Sequence, residues 1–220
     1  MYLKELSITN YRSFHGEHVL RFRRGANVVV GGSGSGKTTL CGAIEFALFG
    51  GMSEDTVELP GLINRERVDE ANPECMWVGC EVGLLFMDEA GEHRVKRSFS
   101  LFGEDEAVEK TYYSRHVLPK ISRCEYREYV HVDEDLSGLR RTGTSALVDG
   151  ERALEFLLGL AECNVASGFG VMLLDNSLSR LPACDGEKVL KGLVGSGLDQ
   201  VILLVHPSGL LSEGSAYHLG

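Results

Sequence analysis

The fold of this chain is decided by a stretch near its N-terminus that reads Asn27-Val28-Val29-Val30 and then Gly31-Gly32-Ser33-Gly34-Ser35-Gly36-Lys37-Thr38. The first four residues form a short, mostly apolar run, which is typical of a strand covered on both faces of a parallel sheet. The next eight match the pattern G-x-x-x-x-G-K-[ST]. From Lys37 to about Phe49 the apolar residues follow a helical spacing, and Gly50-Gly51 ends the predicted helix. Strand, glycine-rich turn and helix in this order predict a phosphate-binding loop.

Each part of this pattern has a chemical reason. Glycines allow successive backbone N–H groups to point inward around a phosphate, and the positive N-terminal end of the helix adds to the attraction. The Lys37 ammonium can reach the β- and γ-phosphates of a nucleotide, and the Thr38 hydroxyl can bind Mg²⁺. The alternative is a flexible Gly/Ser linker, which the flanking strand and helix disfavour.

A parallel crossover unit is predicted in the last third of the chain. Residues 171–175 and 201–205 are apolar runs with the length of buried strands, and a helix is predicted between them over about 185–194. Because the carboxyl ends of parallel strands meet at one edge of a sheet, ligands bind beyond that edge. The residues expected there, after the three predicted core strands, are Gly31, Asp175 and His206.

Two of these residues carry side chains that suit a nucleotide site. Asp175 ends its strand where a carboxylate would make a second contact to Mg²⁺, usually through water, although a turn or helix-capping aspartate is the alternative. His206 ends the neighbouring strand and is assigned a contact to the γ-phosphate, although a lone histidine is more often a plain surface or core residue.

The rest of the chain is predicted to be mainly β. The expectations are a strand pair within residues 1–22, an irregular stretch over 52–73, strands over 76–82, 84–87 and 94–99 with a hairpin turn at 88–92, weak helix over 104–123, a strand over 126–132, and a helix over 150–162.

Composition excludes several classes of protein. The 220 residues carry a net charge of −10, so a general polyanion binder is not expected. No apolar run approaches the roughly 20 residues that span a bilayer, and the first residues lack the features of a secretory signal. The six cysteines show no zinc-site spacing, and we expect reduced thiols in a cytoplasmic protein.

The opening residues also form a recognisable whole, namely 6–14, 27–31, 36–40 and 43–50. They resemble the N-terminal half of the head of the SMC, RecN and RecF group of ABC-type ATPases. They look most like the head of the double-strand-break repair ATPase that works with the Mre11 nuclease. Residues 147–207 resemble the C-terminal half, so the resemblance covers about half the chain.

The resemblance implies an α/β P-loop NTPase fold of the ABC-head type, with a mainly parallel core sheet and an N-terminal and middle antiparallel β lobe. It implies a single head domain over 1–220, divided into an N-terminal half-head (1–50), a β-rich middle lobe (51–140) and a C-terminal half-head (141–220). About 100 residues separate Gly50 from Gly150 without sustained heptads, so we expect a head without the long coiled coil of the family. The resemblance implies a cytoplasmic protein, or one associated with the nucleus or nucleoid.

The cofactors that the resemblance implies are ATP and Mg²⁺. It assigns Mg²⁺ to Thr38 and Asp175, and catalytic roles to Asn176 and to His206 as the switch histidine. Residues 129–134 occupy the region where the family places its glutamine loop, so His131 and Asp133 are candidates for a contact to metal or water. The nucleotide-binding residues that it implies are Arg12, Ser13, Gly31, Gly34, Ser35, Gly36, Lys37, Thr38 and Thr39.

Two departures from the family bear on catalysis and assembly. Asn176 stands where the family has a glutamate that activates water, and an amide accepts no proton although it can orient a water. The signature loop Leu-Ser-Gly-Gly-Glu has poor counterparts at 136–139 and at 147–152, where Val148 and Asp149 are unfavourable for a partner's γ-phosphate. We therefore expect another ABC-type head as partner, in a heterodimer or a homodimer.

Three functions remain open from the sequence. The first is a slowly hydrolysing ATP-binding head that acts in a DNA repair or chromosome-maintenance complex. The second is a catalytically inactive, ATP-gated interaction module, and the third is an unrelated P-loop class. DNA contact through Arg21, Arg23 and Arg24 is possible on sequence grounds, but a solvated strand face is favoured.

Overall fold

The computed structural model describes residues 1–50, 59–71, 76–103, 106–114, 121–133, 150–178, 181, 183–207 and 215–219. The chain divides into two compact units. The first unit contains Met1–Tyr2, Arg23–Thr38 and Pro119–Gly220, and the second contains Leu3–Phe22 and Thr39–Leu118.

The elements follow one another along the chain in this order: β1 (Tyr2–Thr9), β2 (Glu17–Arg21), β3 (Gly25–Gly31), α1 (Lys37–Phe49), a 3₁₀ turn (Leu59–Leu62), α2 (Arg65–Glu70), β4 (Val78–Asp88), β5 (Gly91–Phe102), β6 (Glu106–Tyr113), α3 (Arg123–Glu125), a π-helical turn (Tyr126–Val130), β7 (His131–Val132), α4 (Gly150–Ala166), β8 (Val171–Asp175), α5 (Ala183–Val194), β9 (Gln200–Val205) and β10 (Ser215–Leu219).

The first unit is built on a five-stranded parallel sheet with the strand order β10-β3-β9-β8-β7. Strands β8 and β9 are buried along their whole length, which explains why their sequences are continuous apolar runs. Helix α5 connects them, so the predicted crossover unit is confirmed. The core of this unit includes Val28, Val30, Leu157, Met172, Leu174, Val189, Leu193, Val201 and Leu203.

The second unit contains a five-stranded sheet with the order β2-β1-β4-β5-β6, in which β1 and β2, β4 and β5, and β5 and β6 pair antiparallel. The hairpin predicted at 88–92 is present, and the Asp88 carboxylate accepts hydrogen bonds from the N–H groups of Ala90 and Gly91. The two strands predicted over 76–87 are a single strand. Gly83 lies in its middle because a Cβ there would come within 2.5 Å of Ser7 Oγ.

The predicted fold class is confirmed, since a mainly parallel sheet and an antiparallel β lobe are both present. Among the described helices, none is long and apolar enough to cross a membrane.

Three local predictions are wrong. The stretch predicted as weak helix over 104–123 contains β6, because its residues pair along β5. The strand predicted over 126–132 is a π-helical turn up to Val130 and a strand only at its last two residues. Helix α2 lies inside the stretch predicted to be irregular, and the side chain of Asn64 caps its N-terminus by accepting a hydrogen bond from Arg67 N.

Candidate functional site

The glycine-rich loop joins β3 directly to α1, as predicted. Gly34 and Gly36 have φ angles of +80° and +96°, in the left-handed region that side chains disfavour. Nothing lies within 4 Å of a Cβ built at Gly34, so backbone conformation, and not crowding, accounts for glycine at that position. The Ser35 N–H donates to Gly32 O at 3.3 Å and tightens the turn.

The Lys37 side chain folds back along this loop. Its Nζ donates to Gly31 O at 2.6 Å and to Gly32 O at 2.7 Å. The ammonium group is therefore held beside the loop backbone at the N-terminal end of α1. A positive charge and a helix N-terminus lie together there, an arrangement that attracts phosphate.

Asp175 lies at the same edge of the parallel sheet as the loop. Val30 is in register with Val205, and Asp175 with Leu204, so the ends of β3 and β8 are level on either side of β9. The Asp175 side chain hydrogen-bonds to Thr38, the second residue of α1. The predicted meeting of loop and carboxylate is therefore present in the first unit.

The charge state of Asp175 suits cation binding. Burial raises the pKa of this carboxyl, but the interactions with His131 and Thr38 and the positive charge of Lys37 outweigh burial and hold the pKa below its ordinary value of 3.8. The buried carboxylate is thus ionised at neutral pH. Together with the Thr38 hydroxyl it offers the oxygen ligands that Mg²⁺ prefers, so these residues fit a metal-bound nucleotide.

Two further side chains near Asp175 have unsatisfied polar atoms. Asn176 has a φ of +55°, donates its N–H to Leu204 O, and has a buried Oδ1 with no hydrogen-bond partner among the described residues. His131 begins β7, next to β8, and its Nε2 lies 4.0 Å from Asp175 Oδ2. Buried polar atoms without partners are uncommon, and they are a typical feature of a ligand site.

His206 follows β9 directly, and its side chain is exposed. Because β9 lies between β3 and β8, His206 leaves the sheet at the same edge as the loop and Asp175.

Three predicted nucleotide residues belong to the second unit. Arg12 has a φ of +48°, and its carbonyl accepts a hydrogen bond from Asn64 Nδ2 at 2.6 Å, which holds the turn in this conformation. Ser13 Oγ donates to Thr39 Oγ1 at 3.1 Å, and Thr39 follows Thr38 in α1. Asn64 was not identified from the sequence as a residue that supports Arg12. The sequence around Asn64 indicates only a helix cap.

Two further predictions concerned DNA contact by arginines and the position of the signature loop. Arg21 pairs with Glu5 at 3.0 Å, and Arg24 pairs with Asp199 at 3.4 Å, so carboxylates offset the charge of two of the three arginines that were considered for DNA contact. The first candidate signature loop, 136–139, lies outside the described residues. So do residues 147–149 of the second candidate, 147–152.

Known proteins resemble this chain in sequence and in fold. A family model described as an AAA domain matches residues 5–137, which is more than half of the chain. The chain is 30% identical over 106 residues (48% of the chain) to a structural maintenance of chromosomes protein 3 homolog from Plasmodium falciparum. It is 45% identical over 49 residues (22% of the chain) to a DNA double-strand break repair Rad50 ATPase from Pyrococcus abyssi. The matches span only 8% and 6% of the length of these two relatives.

Solved structures of SMC heads share the fold. The SMC head domain from Thermotoga maritima matches 94% of this chain and 90% of its own, with a TM-score of 0.60 and 18% identity. An SMC head bound to the C-terminal winged-helix domain of ScpA matches 95% and 90%, with a TM-score of 0.63 and 12% identity. From the matched family model, the relatives and the common fold, we conclude that the chain belongs to the AAA domain family and is an SMC/Rad50-like ABC ATPase head.

Proposed function

We propose that this chain is an ATP-binding, slowly hydrolysing head that serves as the nucleotide-dependent component of a DNA repair or chromosome-maintenance complex. The observation that carries the proposal is the meeting of Thr38, at the end of the phosphate loop, with the ionised Asp175 at one edge of the parallel sheet. The similarity to a repair ATPase and to a chromosome-maintenance protein supports the biological role.

The residues of the loop have separate tasks in this proposal. The N–H groups of the loop bind the β- and γ-phosphates, and Lys37 exchanges its contacts to the Gly31 and Gly32 carbonyls for contacts to phosphate oxygens. Thr38 and Asp175 hold Mg²⁺, which when bound supplies positive charge to the phosphates. His206 contacts the γ-phosphate, and Arg12, Ser13 and Thr39 belong to the nucleotide site.

Slow turnover follows from Asn176. The amide Oδ1 can accept a hydrogen bond from a water and orient it, and its lack of a partner among the described residues supports that role. An amide does not take the proton that water loses when it attacks, so a general-base contribution of about 10²–10⁴-fold is missing at this position. The same observation favours the second candidate, an ATP-gated interaction module that does not hydrolyse ATP.

We also propose that both units belong to one head domain over 1–220 and that the head pairs with another ABC-type head. The match of the SMC heads to 94% and 95% of the chain supports a single head. Whether the second head is identical or different depends on its signature loop, which must complete the site from the other side.

Nucleotide binding is tested by calorimetry of the full chain with Mg²⁺·ATP. We expect saturable binding that Lys37→Ala weakens at least about 100-fold, since a charge-assisted contact to phosphate is lost. Lys188→Ala is the matched control because this lysine is exposed on α5. Absence of binding by the wild-type chain at millimolar nucleotide, alone and with a second head, would contradict the proposal.

Turnover separates the two candidate functions. The slow ATPase predicts hydrolysis above the Lys37→Ala background and a gain of at least about tenfold in Asn176→Glu, because the carboxylate supplies the missing base. Asn176→Gln is the matched control, since it has the length of glutamate without its basicity. Tight binding with turnover no faster than Lys37→Ala would favour the non-hydrolysing module.

A further inference from the structure

His131 has an unusual environment for a partly buried histidine. Its side chain is 20% exposed, yet its Nε2 atom is buried and has no hydrogen-bond partner among the described residues. The Asp175 carboxylate attracts this nitrogen from beyond hydrogen-bond distance, so the nitrogen loses its contacts with water without gaining a hydrogen bond from the described residues. A histidine that served only to fill space would be expected to find a partner for that atom.

The surrounding backbone holds His131 firmly in this position. Residues His131 and Val132 form β7, paired in parallel with Leu173 and Leu174 of β8. The buried Ser177 Oγ donates to Val132 O at 2.7 Å. His131 therefore begins the strand next to the one that ends with Asp175.

Asp175 Oδ2 lies 4.0 Å from this nitrogen. This distance is too long for a hydrogen bond. It does suit two ligands of one ion, since each bonds at about 2.0–2.2 Å and donors on different sides of the ion then lie roughly 3–4 Å apart. Asp175 also contacts Thr38, so this carboxylate interacts with both the hydroxyl and the imidazole within the first unit.

We propose that His131 is a nitrogen ligand of the divalent cation held by Thr38 and Asp175, and that this site consequently prefers Mn²⁺ to Mg²⁺. The inference rests on the proposed nucleotide binding and adds the metal preference of the same site. Mg²⁺ takes oxygen ligands almost exclusively, whereas imidazole binds first-row transition metals well. Mn²⁺ accepts both carboxylate and imidazole, which matches this mixed set of ligands.

The test is pulsed electron paramagnetic resonance of Mn²⁺·ATP bound to the full chain in which only the histidines carry ¹⁵N. Coupling between the Mn²⁺ spin and ¹⁵N reports a direct bond to a histidine, and the unlabelled adenine contributes no such signal. We expect the coupling in the wild-type chain and in His18→Gln, an exposed histidine on β2, and its loss in His131→Gln. Calorimetry should show that His131→Gln lowers the ratio of Mn²⁺·ATP to Mg²⁺·ATP affinity at least about tenfold, since changes even to outer ligands of metal sites alter affinity 10–100-fold.

Each outcome decides a different question. Bound Mn²⁺·ATP without ¹⁵N coupling in the wild-type chain overturns the role of His131 and leaves the proposed function standing. This measurement needs no variant, so it holds even if His131→Gln fails to fold. Coupling that persists in a folded His131→Gln protein also overturns the inference. Failure of the wild-type chain to bind nucleotide with either metal overturns the proposed function itself.

Discussion

Asn164 is a buried residue of α4 whose amide Nδ2 donates to Val171 O at 2.7 Å and to Tyr129 O at 3.3 Å. Val171 begins the strand that ends at Asp175, and Tyr129 lies two residues before His131. One side chain therefore connects the two segments that carry site residues. We predict that Asn164→Ala destabilises the protein and weakens nucleotide binding together.

The size of the effect follows from these contacts. Each hydrogen bond contributes about 1 kcal/mol net, and a buried carbonyl that loses its donor adds a desolvation cost of about 1–3 kcal/mol. Removal of Asn164 Oδ1, a buried atom with no partner among the described residues, offsets part of this loss. The expected decrease in the free energy of unfolding is about 2–3 kcal/mol, or roughly 4–12 °C in Tm for a chain of this length.

Thermal and urea unfolding of the full chain provide the measurement. Val165→Ala is the matched control because the neighbouring side chain is 38% exposed, and it should change the stability by less than about 0.5 kcal/mol. Asn164→Asp retains the shape but loses both donors and faces two carbonyls with a charge, so it should be at least as damaging as alanine. An Asn164→Ala protein as stable as Val165→Ala would refute the reasoning.

Three further predictions concern other parts of the molecule. The native pKa of Asp175 lies below 3.8, so its charge stabilises the fold above about pH 4, and this stability is lost as the pH falls through the native pKa. Asp175→Asn should therefore make the free energy of unfolding depend less on pH on the acid side. An unchanged dependence would contradict this role of the Asp175 charge. Gly170 has a φ of +71°, and a Cβ built there lies 3.0 Å from Asp199 Oδ2, so Gly170→Ala should lower the free energy of unfolding in urea by about 2–3 kcal/mol. The control Gly197→Ala should lower it by about 1 kcal/mol, because φ is +92° there but nothing lies within 4 Å of a built Cβ. Equal losses in the two variants would show that crowding at Gly170 is unimportant. Arg97 and Glu109 form a largely buried ion pair, so a double-mutant cycle with Arg97→Met and Glu109→Leu should give a coupling of at least about 1 kcal/mol, whereas additive losses would disprove it.

The sequence alone was sufficient for features that depend on neighbouring residues. The phosphate loop requires glycines in the left-handed region followed by lysine and threonine, and this requirement can be read from 31–38. The apolar runs of β3, β8 and β9 indicated strands that are buried on both faces. Such strands are typical of a parallel sheet, and all three belong to the parallel sheet of the first unit. Parallel topology then placed Asp175 and His206 at the edge where the loop lies.

Predictions failed where pairing between distant segments outweighs local preference. Strand β6 has a weak pattern of its own and is held by its register with β5. The residues from Tyr126 to Val130 have the composition of a strand, yet they form a π-helical turn against which Asn164 donates a hydrogen bond. Such contacts join residues far apart in the chain, so no local sequence pattern predicts them.

The sequence by itself determined that this chain has a phosphate loop, a parallel core and a carboxylate at the end of a core strand, because each of these is set by residues adjacent in the chain. Only the tertiary structure decided which side chains surround that carboxylate. The approach of His131 to Asp175 depends on the pairing of β7 with β8, in which His131 lies opposite Leu173. The left-handed backbone at Asn176 is accompanied by a hydrogen bond from its N–H to Leu204 O. Distances of a few ångströms between such segments arise from packing, and no run of adjacent residues encodes them.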